Sequence, residues 1–223
     1  MTTRRDISPE HGMNVSQQYD ICAPHEIGPV IVIGIGSVGS QVAMGLARVG
    51  VTDLTIVDAD RVESHNVPMS AFGVRDVGLL KVEVMAGRIA EDTGVRVKVV
   101  PRMYTNETLK GSVVACVDKM EARMAIWEQV RGNPLVPAFI DTRIANRLVH
   151  VHRLRPTNPE HVAFYQRRLY PTRDAAPPMC GLHGIIYVTG HAASIAVGSL
   201  VAIRQGIELH SPYEFSFHTV EQL

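Results

Sequence analysis

Val30-Ile-Val-Ile-Gly34-Ile-Gly36-Ser-Val-Gly39-Ser40 is the stretch on which the reading of this chain turns. Its first four residues are apolar and β-branched, the pattern of a short strand buried on both faces. The run then breaks at three glycines spaced G-x-G-x-x-G. Apolar residues resume at helical spacing over 40–49, and Gly50 ends them as a C-terminal glycine does. Strand, glycine loop and helix in that order form a nucleotide-binding fingerprint. Gly34 permits the tight turn, Gly36 lets the backbone approach a phosphate, and Gly39 lets helix and strand pack closely. The N-terminus of the helix then offers free N–H groups and a positive dipole end to an anion. Asp58 lies about twenty residues beyond the loop, where an acidic side chain meets a ribose hydroxyl pair. At this point the loop reads as nucleotide-binding and nothing finer, and an NAD-dependent oxidoreductase remains open.

Working outward, strands are expected at 30–33, 54–57, 96–100, 113–117, 137–140 and 148–154. Helices are expected over about 79–91, 119–131 and 191–205. Residues 1–28 are polar and interrupted by prolines, and read as an arm ahead of a single domain over 29–223. Residues 156–178 read as a proline-containing link. Tyr213, Phe215 and Phe217 alternate as in a short edge strand, which the sequence does not place. Strands alternating with helices predict a Rossmann-like α/β fold. Its sheet should be mostly parallel, with helices on both faces and mixed strands in the C-terminal half. Ligands bind such sheets beyond the carboxyl ends of the strands. The glycine loop, Asp58, Asp60 and Asp118 all fall there.

Composition bounds the function. Apolar residues make up 46% and charged residues 20% of 223, enough for a sizeable core. Twenty-two basic and 22 acidic residues cancel, leaving no electrostatic footprint for nucleic acid. No apolar run approaches a membrane span of about 18 residues, and the polar start is not a signal peptide. Three cysteines, Cys22, Cys116 and Cys180, form no CxxC pair, which fits a reducing cytoplasm better than a disulfide framework.

The next sixty residues carry a resemblance. Val57-Asp-Ala-Asp-Arg-Val-Glu-Ser-His-Asn66 follows the glycine loop, then Gly78-Leu-Leu-Lys81 and Val117-Asp-Lys-Met-Glu-Ala-Arg123, in order and at suitable spacing. Together they resemble the nucleotide-binding core of the ThiF/MoeB branch of ubiquitin-activating-type adenylyltransferases. The similarity is strongest over 30–130 and extends weakly to about 206. A dehydrogenase is not expected to carry these elements together.

The resemblance implies an enzyme that binds ATP and Mg²⁺ and adenylates a carboxylate. The expected partner is a ubiquitin-like or sulfur-carrier protein ending in Gly-Gly. Asp58 would hold the ribose, Asn66 and Lys81 would meet the phosphates, and Asp118 would position Mg²⁺ with Asp60 close by. Such an inventory suits the chemistry, because a carboxylate must approach the anionic α-phosphate of ATP. Cations must therefore offset charge building on the phosphates, and strand-end aspartates offer oxygen to a hard cation. Two plainer readings stand beside these: Asp118 as a helix cap and Lys81 as a solvated helix residue. A homodimer is expected from the resemblance, and also because the apolar helix at 191–205 needs cover, although cover from within the chain serves equally.

Two departures qualify the resemblance. Family members commonly place x-x-Arg-Gln after the asparagine, whereas here Asn66-Val-Pro-Met-Ser70 puts Met69 at the arginine position. Arg75 is a nearby replacement, as are Arg4 or Arg5 of the arm, since related dimers lend an arginine across the interface. Without one, the protein would bind ATP yet adenylate poorly, and a non-catalytic nucleotide-binding partner in an activating complex is the alternative reading. The two CxxC pairs of the family's structural zinc are also missing, so no such site is expected. Pro177-Pro-Met-Cys180-Gly-Leu-His183 corresponds to a crossover loop that can carry a reactive cysteine. Cys180 is thus the candidate acyl acceptor, with a small buried residue as the alternative. Cys116 reads as core within an apolar strand. His150 and His152 share a strand face but read as surface residues. Asp141-Thr-Arg143 reads either as a strand-end salt bridge or as part of the acyl-substrate groove.

Overall fold

The computed structural model describes residues 13–145, 147–171 and 184–217. Seven strands form one sheet: β1 Val30–Ile33, β2 Leu54–Val57, β3 Lys98–Val100, β4 Ser112–Ala115, β5 Phe139–Ala145, β6 Leu148–Leu154 and β7 Tyr213–Ser216. Six α-helices accompany them: α1 Pro24–Ile27, α2 Ser37–Val49, α3 Lys81–Thr93, α4 Met120–Val130, α5 Pro159–Gln166 and α6 Ile186–Arg204. The strand order is β3-β2-β1-β4-β5-β6-β7. Strands β1 to β5 are parallel; β6 runs antiparallel to both β5 and β7. This is the expected Rossmann-like α/β fold with a mixed C-terminal half.

Alternation along the strands divides the core in two. Val30, Val32, Leu54, Ile56, Val114, Ile140, Val149 and Val151 pack against α2, α3 and α6. Ile33, Val57, Val113, Ala115, Phe139 and Leu154 face α4 and α5, where Trp127 and Tyr165 are fully buried. Helix α2 begins at Ser37, three residues earlier than the apolar spacing suggests, and stops at Gly50 in the left-handed conformation (φ +100°).

The structure changes four readings. The segment 156–178 is not simply a link, since it contains α5, whose N-terminus is capped by Asn158 accepting from the Glu160 and His161 amides. The unplaced aromatic strand is β7, paired with β6. The arm is docked in part: Cys22 and Ile27 join the core, and Gln205 Nε2 donates to the Ile21 carbonyl at 2.6 Å. Finally, α6 runs 19 residues with a mean hydropathy of 1.6 in its most apolar window, so an apolar run of spanning length does exist. Its inner face, from Val188 to Ile203, packs on α2 and the sheet as a core helix.

Candidate functional site

Sheet register brings the candidate residues level. Ile33 pairs with Val57 on one side and Ala115 on the other, so Gly34, Asp58 and Cys116 emerge together. Beyond Ile33 the chain turns to β2, and β4 enters only after β3, so connections diverge between β1 and β4. That crevice is where an open α/β sheet receives its ligand.

The glycine loop is dictated by close approach. A side chain on Gly39 would place its Cβ 1.8 Å from the Gly34 carbonyl oxygen. Gly34 sits at φ +89°, and its Cβ would lie 2.6 Å from the Cys116 carbonyl oxygen. Gly36 differs: nothing lies within 4 Å of its Cβ position, so the front of the loop is open. Gly36 is also the N-cap of α2 and provides no side-chain cap, which leaves the amides of the first helical turn to meet an anion.

Asp58 braces this loop. Its Oδ2 accepts the Ile35 amide at 2.6 Å and its Oδ1 accepts the Asp60 amide at 2.7 Å. Burial raises the Asp58 pKa, with the two amides and Lys81 pulling the other way. Lys81 opens α3 and is 8% exposed, so it is not a solvated helix residue. Its Nζ donates to Asp60 Oδ2 at 2.9 Å, while Asp60 itself is 64% exposed at the side chain. The ammonium is therefore held at the end of β2 by a carboxylate that faces water. Asn66 lies in a 3-10 turn, Ser64–Met69, where its Oδ1 accepts the Glu63 amide at 2.9 Å.

Asp118 stands apart from these bonded groups. It is exposed and makes no hydrogen bond or ion pair with the described residues. The helix-cap reading fails, because the N-cap of α4 is Lys119 and no side chain caps it. No cluster of three or more His, Cys, Asp or Glu exists among the described residues. A single open carboxylate nonetheless suits Mg²⁺, which keeps water and substrate phosphate for most of its shell. The donor set fits that ion.

Several functional positions were not singled out from the sequence. Thr189 Oγ1, on α6, donates to the Met69 carbonyl at 2.8 Å, and Gln41 Nε2, on α2, reaches the same oxygen at 3.3 Å. Two helices thus hold the end of the Asn66 turn through its backbone, whatever side chain stands at position 69. Arg75 is exposed on a separate 3-10 turn, Val74–Asp76, with no described ion-pair partner, whereas Arg88 is committed to Asp76 at 2.6 Å. Arg4, Arg5, Cys180 and His183 lie outside the described residues.

A second polar cluster lies on the α4/α5 side of the same edge. Asp141 is completely buried; its Oδ1 accepts from Arg123 Nε at 2.6 Å, and its Oδ2 from Arg143 Nε at 2.8 Å and Tyr165 Oη at 2.9 Å. Of the two readings for Asp141-Thr-Arg143, the ion pair is the one observed. Burial alone would raise the Asp141 pKa, but Arg123 and Arg143 hold it below the ordinary carboxylate range. His152 is 2% exposed against Tyr165 and Phe164, so it is not the surface histidine expected. Burial lowers its pKa to about 4. His150 remains part-exposed, 3.9 Å from Glu214. Cys116 follows β4 directly and packs, partly buried, against the core, and burial pushes its thiol up to about 12.

Comparisons with known proteins bear on the family and the fold. Escherichia coli tRNA threonylcarbamoyladenosine dehydratase is 36% identical over 118 residues, 48% of this chain and 44% of that protein. Ubiquitin-like modifier-activating enzyme 5 of Drosophila persimilis is 30% identical over 171 residues, 67% of this chain and 43% of that protein. The chain thus spans less than half the length of these curated relatives. Among solved structures, E. coli MccB with ATP superposes with a TM-score of 0.67 at 15% identity, over 87% of this chain and 63% of MccB. The E. coli dehydratase TcdA does so with a TM-score of 0.62 at 22% identity, over 81% of this chain and 87% of TcdA. The ThiF family model matches residues 26–221, nearly the whole of the described fold, and the chain belongs to the ThiF family.

Proposed function

We propose that this protein binds ATP with Mg²⁺ and adenylates a carboxylate, the terminal glycine of a ubiquitin-like or sulfur-carrier protein being the favoured substrate. The observation that carries this reading is the convergence at one sheet edge. An open glycine loop, a buried lysine ammonium and an exposed aspartate that bonds to none of the described residues lie at the ends of β1, β2 and β4. ThiF-family membership and the relatives named as modifier-activating enzymes support it.

In this scheme the α2 amides and Lys81 hold the triphosphate, Asp58 meets the ribose, and Asn66 offers its side-chain amide to a phosphate. The substrate carboxylate attacks the α-phosphorus, the bond to the bridging oxygen breaks, and pyrophosphate leaves with that electron pair. Bound Mg²⁺ would neutralise phosphate charge, with Asp118 as its protein ligand. Lys81 provides fixed positive charge where negative charge grows, which requires no reorganisation during reaction. Transfer would follow if the Cys180 thiolate attacks the acyl carbon and AMP departs.

Arg75, exposed on the 3-10 turn Val74–Asp76, is our candidate to replace the arginine whose position Met69 occupies. Met69 also favours a second reading, a nucleotide-binding partner subunit without its own turnover. Two grooves flank α6, lined by Gln41, Gly45, Gly190 and Ser194 on one side and by Ser194, Gly198 and Ala202 on the other. Gly45 and Gly190 serve the packing of α2 on α6 within the chain, where added Cβ atoms would meet Val197 and Gln41, so the homodimer rests on the family resemblance alone, and sedimentation tests it. ATP–pyrophosphate exchange with Mg²⁺ and Gly-Gly-tailed carriers tests the activity. Carrier-dependent exchange supports adenylation, whereas ATP binding with no exchange for any carrier favours the partner-subunit reading.

A further inference from the structure

The buried cluster and the exposed Asp118 are joined by one side chain. Arg123 is five residues beyond Asp118, on the first turns of α4, and only 5% of its side chain is exposed. Its Nε is committed to Asp141, and its Nη2 donates to the carbonyl of Val117 at 2.6 Å and that of Thr142 at 3.2 Å. Val117 is the residue immediately before Asp118. Ahead of the turn the Cys116 amide still donates to the Ile33 carbonyl at 2.8 Å. β4 ends at Ala115, α4 lacks a side-chain cap, and Asp118 bonds to none of the described residues. The turn also backs onto the glycine loop, since a Cβ on Gly34 would lie 3.1 Å from the Val117 amide nitrogen.

Burying a carboxylate between two guanidinium groups is costly, and apolar residues of similar volume often serve stability as well or better. Arginine suits the observed task because its rigid planar fork donates in several directions at once; a lysine ammonium on a flexible stem does not reproduce that. We propose that Arg123, anchored by Asp141, is a positioning residue that clamps the Val117 carbonyl and so fixes the backbone presenting the Asp118 carboxylate. The role toward Mg·ATP rests on the function proposed above; the clamp itself does not. Tyr165 and Arg143 complete the anchor by occupying the other oxygen of Asp141.

Arg123→Lys tests this, since it keeps a charge beside Asp141 while losing the fork. Amide hydrogen exchange over 116–120 should quicken about tenfold, with exchange over 30–33 unchanged. The Mg²⁺ concentration giving half-maximal pyrophosphate exchange should rise about tenfold, the scale seen when support behind a metal ligand is removed, with the KM for ATP nearly constant. Unchanged amide exchange over 116–120 in the folded variant overturns the clamp, even if activity falls. Faster exchange there supports it even if the wild-type protein adenylates nothing, so failure of the functional reading is distinguishable. Should Arg123→Lys not fold, the triple variant Arg123→Leu, Asp141→Asn, Arg143→Leu removes the buried ion cluster as a whole, and the same exchange measurement decides.

Discussion

At the β1–β2 end of the carboxyl edge, side chains bond to backbone amides or to one another while keeping a face toward water, as Asp58 and the Lys81–Asp60 pair do. At the β4–β5 end, Asp141 is fully buried and Arg123 nearly so, while Asp118 and Lys119 emerge. One end is arranged to meet a ligand, and the other is arranged to hold the groups that do. The difference teaches that polar residues at a binding edge divide into those whose open valences are the function and those whose closed valences support it.

The largest expected effect tests the closed end. Asp141→Asn leaves two buried guanidinium groups poorly compensated and should lower unfolding free energy by about 3–5 kcal/mol, read from urea midpoints. Because Asp141 has a depressed pKa in the folded state, its contribution is present above the unfolded value of about 4 and is lost as pH falls through the folded value. The wild-type protein should therefore show an acid-unfolding limb below about pH 4 that the variant lacks. His152 adds a separate slope. Its folded pKa of about 4 against an ordinary 6.5 means the unfolded chain protonates first, so stability falls as pH drops from 6.5 to 4. His152→Phe should flatten that window. A variant curve that parallels wild type across it would show that His152 titrates normally.

Lys81→Ala probes the open end and should cut pyrophosphate exchange about 10²-fold. Its thermal midpoint should scarcely move, since the Asp60 it leaves is already 64% exposed. A large loss of stability with intact exchange would reverse the comparison. Gly39→Ala should cost about 1–3 kcal/mol, because its Cβ meets the Gly34 oxygen at 1.8 Å and backbone must shift. It should also weaken ATP binding, measurable by calorimetry. Smallest of all, Thr189→Val removes one of two donors to the Met69 carbonyl and should cost about 1 kcal/mol. A null result there would mean that Gln41 alone holds the Asn66 turn.

Much of the open end was legible because its signals are local. Gly34 and Gly39 are required by backbone contacts at fixed offsets, and strand-end aspartates follow apolar runs whose limits at Val30, Ile33, Leu54 and Val57 coincide with the observed strands. The closed end was not. His150 and His152 sit two apart on one strand, yet one is part-exposed and the other buried, because α5 covers only His152 with Phe164 and Tyr165. That helix was hidden in a stretch whose prolines suggest a link, one of which, Pro159, sits where the first turn of a helix tolerates it. The spanning-length apolar run of α6 was likewise masked by Gly190, Ser194 and Gly198, which lower its apparent continuity but not its helicity in a packed setting.

The sequence by itself determined the fold family, the glycine loop and the order of the edge residues. Those follow from residue spacing and from backbone sterics that act over a few positions. Only the tertiary structure decided that Lys81 is buried against Asp60, that Asp118 caps nothing, and that Arg123 ties Val117 to Asp141. Burial and hydrogen-bond partnership depend on which distant elements cover a residue, and no spacing along the chain encodes that cover.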